Sequence, residues 1–308
     1  MSETPQLRFR PMVEADLGAT MLIRRSALDA LARSEGRAAY AWRAAYPRVP
    51  RHILATDPGG CWVAEIDGVV VGFSMGFTRG EIWFLAQLFV LPDVHALGAG
   101  RELLHLAREY GRAGGARVFS VVSSTSPAAQ SLYMRSGMFA TGIGYRVSGP
   151  VDALLVLPEP PVHKKRIVDC AGWQDRIAEL DRAVYGAERR QDHAFFLAGE
   201  AVAGDQTSFG LARDGEFLGY GYAAADDGWI GPLAAHDPAD QLSLLRMAAD
   251  WLTDRDVETG NAWALSLNST VLGALLGAGW RINGWSFLKT SAPFGQFDRY
   301  HPSGGILL

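Results

Sequence analysis

Cysteine is nearly absent from this chain: its 308 residues hold two, Cys61 and Cys170, far apart. Neither a disulfide framework nor a cysteine zinc site can be built from that pair. The seven histidines show no ligand-like spacing such as H-x-x-x-H, so a histidine-metal hydrolase has no support and no metal is expected. A basic excess is missing as well. Lys and Arg total 29 against 33 Asp and Glu, a formal net charge of -4. General nucleic-acid binders ordinarily carry a strong basic excess, so nucleic acid is not an expected partner. No uninterrupted apolar run approaches the ~20 residues a membrane helix needs, and the opening MSETPQLRFRP has no apolar signal core. A cytoplasmic protein without a membrane partner is the expectation.

What is present is the material of a sizeable core: 48% hydrophobic residues, 20% charged and 10% aromatic. The segment LPEPPVHKK at Leu157–Lys165 has three prolines, which fix φ and remove the amide donors a central strand needs. It reads as a connector over 157–166, between a domain at 1–156 and another at 167–308. The two halves share a design. VAEIDGVVVGF (Val63–Phe73) and LARDGEFLGY (Leu211–Tyr220) both read as strand, Asp-Gly turn, strand, with Asp67-Gly68 and Gly72-Phe73 answered by Asp214-Gly215 and Gly219-Tyr220. SPAAQSLYMRSGM (Ser126–Met138) is answered by NSTVLGALLGAGW (Asn268–Trp280), each a short helix with a polar N-cap candidate and a terminal glycine. Two matches in the same order point to a duplicated fold.

In the first half the pattern gives a strand at Leu7–Arg10, a helical region over Val13–Arg43, and a strand, turn and strand through Phe77. A strand at Ile82–Leu91, a helix at Gly98–Arg112 and a strand at Val118–Val122 follow. The short helix after Ser126 and a last strand near Ile143–Val147 complete it. This is mixed α/β, with antiparallel hairpins early and strand–helix–strand units late. The most informative stretch is FLAQLFVLPDVHALGAGRELLHLAREYGRAGG. An apolar strand stops at Pro92, and Gly98, Ala99 and Gly100 lead into a helix with Leu103, Leu104, Leu106 and Ala107 on its buried side. Glycine permits close backbone approach, and the first amides of a helix lack internal partners, so an anion is favoured there, with Arg101 adding charge. The spacing is neither a P-loop nor a dinucleotide fingerprint.

Val90-Leu91-Pro92 followed by His95-Ala96-Leu97-Gly98-Ala99-Gly100 resembles motif A of the GNAT superfamily of acyl-CoA-dependent N-acetyltransferases, with histidine where the family pattern has Gln or Arg. Ser126, Ala129, Leu132-Tyr133 and Gly137-Met138-Phe139 are similar to its motif B, in which asparagine often stands at the Ser126 position. The resemblance covers roughly Leu7–Val147. It implies two GNAT-like domains in tandem, each a mixed, mostly antiparallel sheet flanked by helices. It also implies acetyl-CoA as co-substrate, held by backbone groups of Phe89, Val90 and Leu91 along the pantetheine. The turn His95, Ala96, Leu97, Gly98, Ala99, Gly100 and Arg101 would hold the pyrophosphate, Ser126 and Ala129 would lie near the pantetheine, and Tyr133 near the thioester sulfur.

The expected reaction is N-acetylation of a small-molecule amine by direct attack in a ternary complex, no cysteine standing at a nucleophile position. Tyr133 is the expected acid for the leaving thiolate. The base stays open. The polar position of the motif A strand is Gln87, which cannot take a proton; Glu81, Glu35, His52, Asp93, a water chain or an already neutral amine are the alternatives. Trp42, Tyr46, Trp83 and Phe84 could enclose an apolar amine, although core packing is the ordinary role of such residues. In the second half the phosphate-loop counterpart, His236-Asp237-Pro238-Ala239-Asp240-Gln241, has no glycine, and Leu275 replaces the tyrosine. The second half therefore reads as a copy that kept the fold and lost the cofactor site. Its clustered Arg189, Arg190, Asp192 and His193 could line a pocket or an interface, with a solvated helix face as the preferred reading; Ile306–Leu308 reads as a tail docked on a neighbour, and a homodimer is a candidate assembly. The rival reading is a non-catalytic acyl-CoA-binding sensor or regulatory protein.

Overall fold

The computed structural model describes residues 6–37, 47–159, 163–165, 172–201 and 204–308. By contacts the chain divides into two compact units, Met1–Val121 with Ser126–Met138, and Val122–Thr125 with Phe139–Leu308.

The first unit runs β1 (Leu7–Pro11), α1 (Leu17–Ser34), α2 (Arg48–Thr56), β2 (Cys61–Ile66), β3 (Val69–Arg79), β4 (Ile82–Val90), α3 (Ala99–Ala113), β5 (Val118–Ser123) and α4 (Pro127–Arg135). Strand order follows the chain, β1 to β5; every neighbouring pair is antiparallel except β4–β5, which is parallel. Asp67 and Gly68 both take positive φ, 50° and 77°, which is why Asp-Gly closes the β2–β3 hairpin. β3 and β4 are apolar on both faces because both faces are covered. Leu103, Leu104 and Ala107 of α3 recur at helical spacing and pack on one side; α1 packs on β3 and β4, and α2 on β3.

The second unit runs β6 (Phe139–Pro150), β7 (His163–Lys165), α5 (Trp173–Val184), α6 (Arg190–Leu197), β8 (Gln206–Arg213), β9 (Glu216–Ala224), β10 (Trp229–Ala235), α7 (Asp240–Thr253), β11 (Thr259–Leu265), α8 (Ser269–Gly277), β12 (Arg281–Thr290) and β13 (Tyr300–His301). Its strand order is β12-β6-β11-β10-β9-β8-β7, with β13 added to β10; β10–β11 is its parallel pair. From β1 to β6 and again from β7 to β12 the order is strand, two helices, three strands, helix, strand, helix, strand. Even the irregularities repeat. The hairpin register shifts between Ala64 and Glu65 and again between Leu211 and Ala212, and a bulge interrupts both β3–β4 and β9–β10.

Three features differ from the sequence expectation. The helical region expected over Val13–Arg43 is broken: α1 ends at Ser34, followed by Gly36 at φ 67°. β6, the last strand of the first repeat, is bonded on both sides within the second unit, by β11 and β12. The contact division therefore falls at 138/139, whereas the proline-rich connector begins at 157. Finally, Arg189, Asp192 and His193 are buried and only Arg190 is exposed, so the expected solvated face is largely internal. Leu307 and Leu308 are buried too, and the Arg189 guanidinium donates to the Leu308 carbonyl; the tail docks on its own unit.

Candidate functional site

The site begins where β4 ends. The β3 pairing runs to Gly72↔Val90, but the parallel pairing with β5 is confined to Ile82–Leu85. A strand partnered along one edge and, by β5, only partway along the other suits backbone pairing with an extended ligand; Phe89 and Leu91 lie at that end, and Val90 between them is not without a partner. Pro92 then opens a 3-10 turn, Pro92–Leu97, that contains His95 and Ala96, with Leu97 exposed. Gly98 follows in the left-handed region, φ 79°, and α3 starts at Ala99 with no side chain capping it. The Arg101 amide donates to the Gly98 carbonyl at 3.1 Å, which leaves the amides of Ala99 and Gly100, among the described residues, for a ligand. A Cβ at Gly98 would meet nothing within 4 Å, and one at Gly100 would sit 3.7–4.0 Å from Leu88, Val90 and Leu132. Space and unused donors coincide here, beside the exposed Arg101, and the junction fits a pyrophosphate.

α4 supplies the second wall. Ser126 precedes Pro127 and its hydroxyl caps nothing, so it too is spared from internal duty. Half-buried Ala129 and buried Tyr133 pack with Trp83, Leu85, Leu104, Ala107, Phe119, Val121 and Met138. Burial alone pushes the Tyr133 phenol well above its ordinary value, so it stays protonated at neutral and mildly alkaline pH. Among the described residues none hydrogen-bonds its hydroxyl. Such a phenol can give a proton to a developing thiolate and cannot act as an anion.

The candidate bases are scattered. Exposed Glu81 pairs with Arg117, Glu35 with Arg37, His52 lies on α2, and Asp93 is exposed in the 3-10 turn. Trp83 and Phe84 are fully buried: Trp83 stacks near Phe119 and Phe84 near Phe77, both in the core. Trp42 and Tyr46 lie outside the described residues. Gln87 is 4% exposed and, among the described residues, its Nε2 has no hydrogen-bond partner. Sequence reasoning registered Gln87 only as a residue unable to act as base; no local pattern announces an unpaired amide.

The second unit answers each of these features with an internal bond. The Asp237 carboxylate accepts from the Ala239 amide at 2.9 Å, just ahead of α7, so a fixed anion already occupies that helix start. Burial raises the Asp240 carboxyl, with Asp237 adding to the effect. Asn268, at the Ser126 position, accepts from the Val271 amide as a helix cap and donates to Gln241. Leu275, at the Tyr133 position, is core. Where α5 and α6 cover the sheet, Asp181 accepts from Arg189, Tyr220 and His193, and His193 bonds Tyr222 at 2.8 Å. Burial would raise the Asp181 carboxyl, but Arg189 and His193 hold it at about 2. Arg189 and His193 stand out in the sequence as clustered polar residues, but their partners lie outside that cluster, on α5, β9 and the C-terminal segment.

Among the described residues no helix is long and apolar enough to cross a membrane. The model of the Acetyltransferase (GNAT) family matches residues 26–138. An uncharacterized N-acetyltransferase of Archaeoglobus fulgidus is 38% identical over 65 residues, 19% of this chain and 44% of that protein, so the likeness spans less than half of the relative's length. Among solved structures, a putative acetyltransferase from Pyrococcus horikoshii is similar over 100% of this chain and 98% of its own, with a TM-score of 0.70 and 17% identity. A tandem GNAT protein from the clavulanic acid biosynthesis pathway is similar over 94% of this chain and 99% of its own, with a TM-score of 0.61 and 17% identity. At such identities the likeness is one of fold, and it extends over both units.

Proposed function

We propose that residues 26–138, which match the model of the GNAT acetyltransferase family, form an acetyltransferase domain, and that the chain transfers an acetyl group from acetyl-CoA to the amine of a small molecule in the cytoplasm, by direct attack in a ternary complex. The observation that carries the reading is the β4–α3 junction, where the left-handed Gly98 leaves an uncapped helix start beside a partly unpaired strand. Acetyl-CoA supplies the thioester. Backbone groups of Phe89–Leu91 align its pantetheine, the amides from Leu97 to Arg101 hold its pyrophosphate, and Ser126 adds a hydroxyl.

Tyr133 then donates a proton to the departing sulfur; burial keeps the phenol protonated and its hydroxyl is not engaged among the described residues, so the proton is there to give. Alkylamines have pKa values near ~10, so the attacking amine must lose a proton first. Gln87 cannot accept it. The amine either enters neutral or releases its proton to water. The same glutamine favours a second reading, a non-catalytic acyl-CoA binder, which Tyr133→Phe separates from the first: a binder is indifferent to it.

Calorimetric titration with acetyl-CoA tests the reading. We expect micromolar binding at one site per chain. Gly98→Asp, which places a carboxylate and a strained φ at the helix start, should abolish it. Two sites would overturn the account of the second unit, and no binding would remove the basis of the proposal.

A further inference from the structure

β3 and β4 present one face to α3 and another away from it. Antiparallel partners share a face, so the register assigns Phe73 with Phe89, Met75 with Gln87, and Phe77 with Phe84 to the side opposite α3. Ser74, Leu88, Gly72 and Val90 point the other way; the Ser74 hydroxyl donates to the Leu103 carbonyl of α3. Among the described residues of β3 and β4 the face away from α3 is therefore aromatic and apolar, with Gln87 as its only amide; α1 and α2 pack on these strands, and Phe73 and Met75 are buried. The cation that continues it, Arg79, is held by Asp57 at 2.8 Å. Phe89 is only half-buried, so the face opens outward at the end where β4 meets the cofactor turn.

A buried amide with no partner costs stability, and folded chains seldom keep one without use. Crowding does not explain this one as it explains Trp83. The Trp83 Nε1 also lacks an acceptor, but it is wedged where Cβ atoms at Gly76 and Gly111 would come within 2.5–2.7 Å of the indole. The duplication supplies a control. Gly72↔Val90 and Gly219↔Ala235 are equivalent pairs; counting from them, Phe73, Met75 and Gln87 correspond to Tyr220, Tyr222 and Pro232. In the second unit, where Asp237 sits just ahead of the helix start and accepts from the Ala239 amide, that face carries two tyrosines, both bonded into the Asp181–Arg189–His193 network, and a proline with no amide donor to satisfy. In the unit with the open helix start, the same face keeps an unpaired donor.

We infer that Gln87 is a specificity-determining residue that donates a hydrogen bond from Nε2 to a neutral carbonyl oxygen of the acceptor, whose apolar or aromatic body lies against Phe89, the half-buried residue on the same face. The acceptor class is an apolar amine bearing an amide or ester, and the inference rests on the transferase reading. A free carboxylate is disfavoured, since among the described residues of β3 and β4 on this face the cation, Arg79, is already held by Asp57 and buried charges need a partner.

The experiment compares phenylalaninamide, phenylalanine and 2-phenylethylamine as acceptors for the full chain and for Gln87→Leu. The full chain is expected to prefer the amide to both others, and Gln87→Leu to lower the amide-over-phenylethylamine ratio of kcat/KM about tenfold, the worth of one buried hydrogen bond. Its Tm without acceptor should hold or rise, because an unpaired buried amide has been removed. An unchanged ratio, or a Tm loss of several degrees, would overturn the inference by making Gln87 inert or structural. Should no amine turn over at all, the transferase reading fails, and thermal shift with phenylalaninamide in the presence of CoA decides separately. A Tm gain in the full chain but not in Gln87→Leu sustains the inference, and no gain in either overturns it.

Discussion

Tyr133 and His301 are both fully enclosed titratable side chains, and enclosure has opposite consequences for them. For Tyr133 it preserves the proton. Tyr133→Phe keeps the ring and its packing while deleting the donor, so kcat should fall about a hundredfold with the acetyl-CoA affinity and near-UV circular dichroism retained. An equal loss of affinity would instead assign the hydroxyl to binding. His301 is driven down to about 4 by burial, against a weaker opposing bond to the Ile230 carbonyl, and its Nδ1 has no partner. The unfolded chain takes up that proton near pH 6.5 and the native chain only near pH 4. Stability from this residue is therefore complete above pH 6.5 and declines as pH falls toward 4, by up to about 3 kcal/mol. Urea unfolding at pH 7.5 and 4.5 should show a smaller acid penalty in His301→Phe than in the parent chain. Residues of this kind are hard to read from sequence. Tyr133 could be singled out because a motif surrounds it, whereas nothing near His301 reveals that β13 will lay it against β10.

At the scale of elements, what could be read from sequence was what is local. The Asp-Gly hairpins formed as expected because two adjacent residues with positive φ suffice to turn the chain, and Asp214 and Gly215 repeat the geometry at 52° and 86°. The strand at Trp229–Ala235 and the short helices after Ser126 and Asn268 likewise depend on their own residues. The partners of β6 do not. Its bonds go to Thr259–Leu265 and Arg281–Thr290, beyond any window that periodicity can survey. A prediction belongs to this scale. A fragment of residues 157–308, cut at the proline-rich connector, lacks the strand that separates β11 from β12 and should be insoluble or poorly folded. A fragment of 139–308 should give a cooperative thermal transition by circular dichroism. If the shorter fragment unfolds as cooperatively as the longer, β6 is dispensable to that sheet.

For the molecule as a whole, duplication means that each half explains the other. The turn that leaves amides unused after Gly98 has an aspartate in the second copy, Asp237, bonded to the Ala239 amide, and the Ser126 hydroxyl that caps nothing is replaced by an asparagine with three bonds, to Val271, Gln241 and Tyr300. Sequence comparison of the halves exposed the lost glycines and the lost tyrosine, since those are substitutions at matching positions. It did not expose how the second cleft is filled, because Arg189 reaches Asp181, Tyr220, Tyr300 and the Leu308 carbonyl at once, and such convergence is a property of the folded unit. Gly98→Asp should therefore leave no residual acetyl-CoA site, and titration of that variant at high ligand concentration should stay flat.

The position of β6 also bears on the order in which the chain takes shape during synthesis. Its second partner, β12, is complete only at Thr290, 140 residues after β6 ends at Pro150. At roughly 5–20 residues per second, a ribosome needs on the order of 7–30 s to cover that distance. For that interval a finished twelve-residue strand waits with at least one bare edge, the condition under which chains pair with the wrong neighbour. Phe139-Ala-Thr-Gly-Ile-Gly-Tyr-Arg-Val-Ser-Gly-Pro150 carries three glycines, a charge and a terminal proline, a composition that weakens premature pairing until the intended partners have emerged.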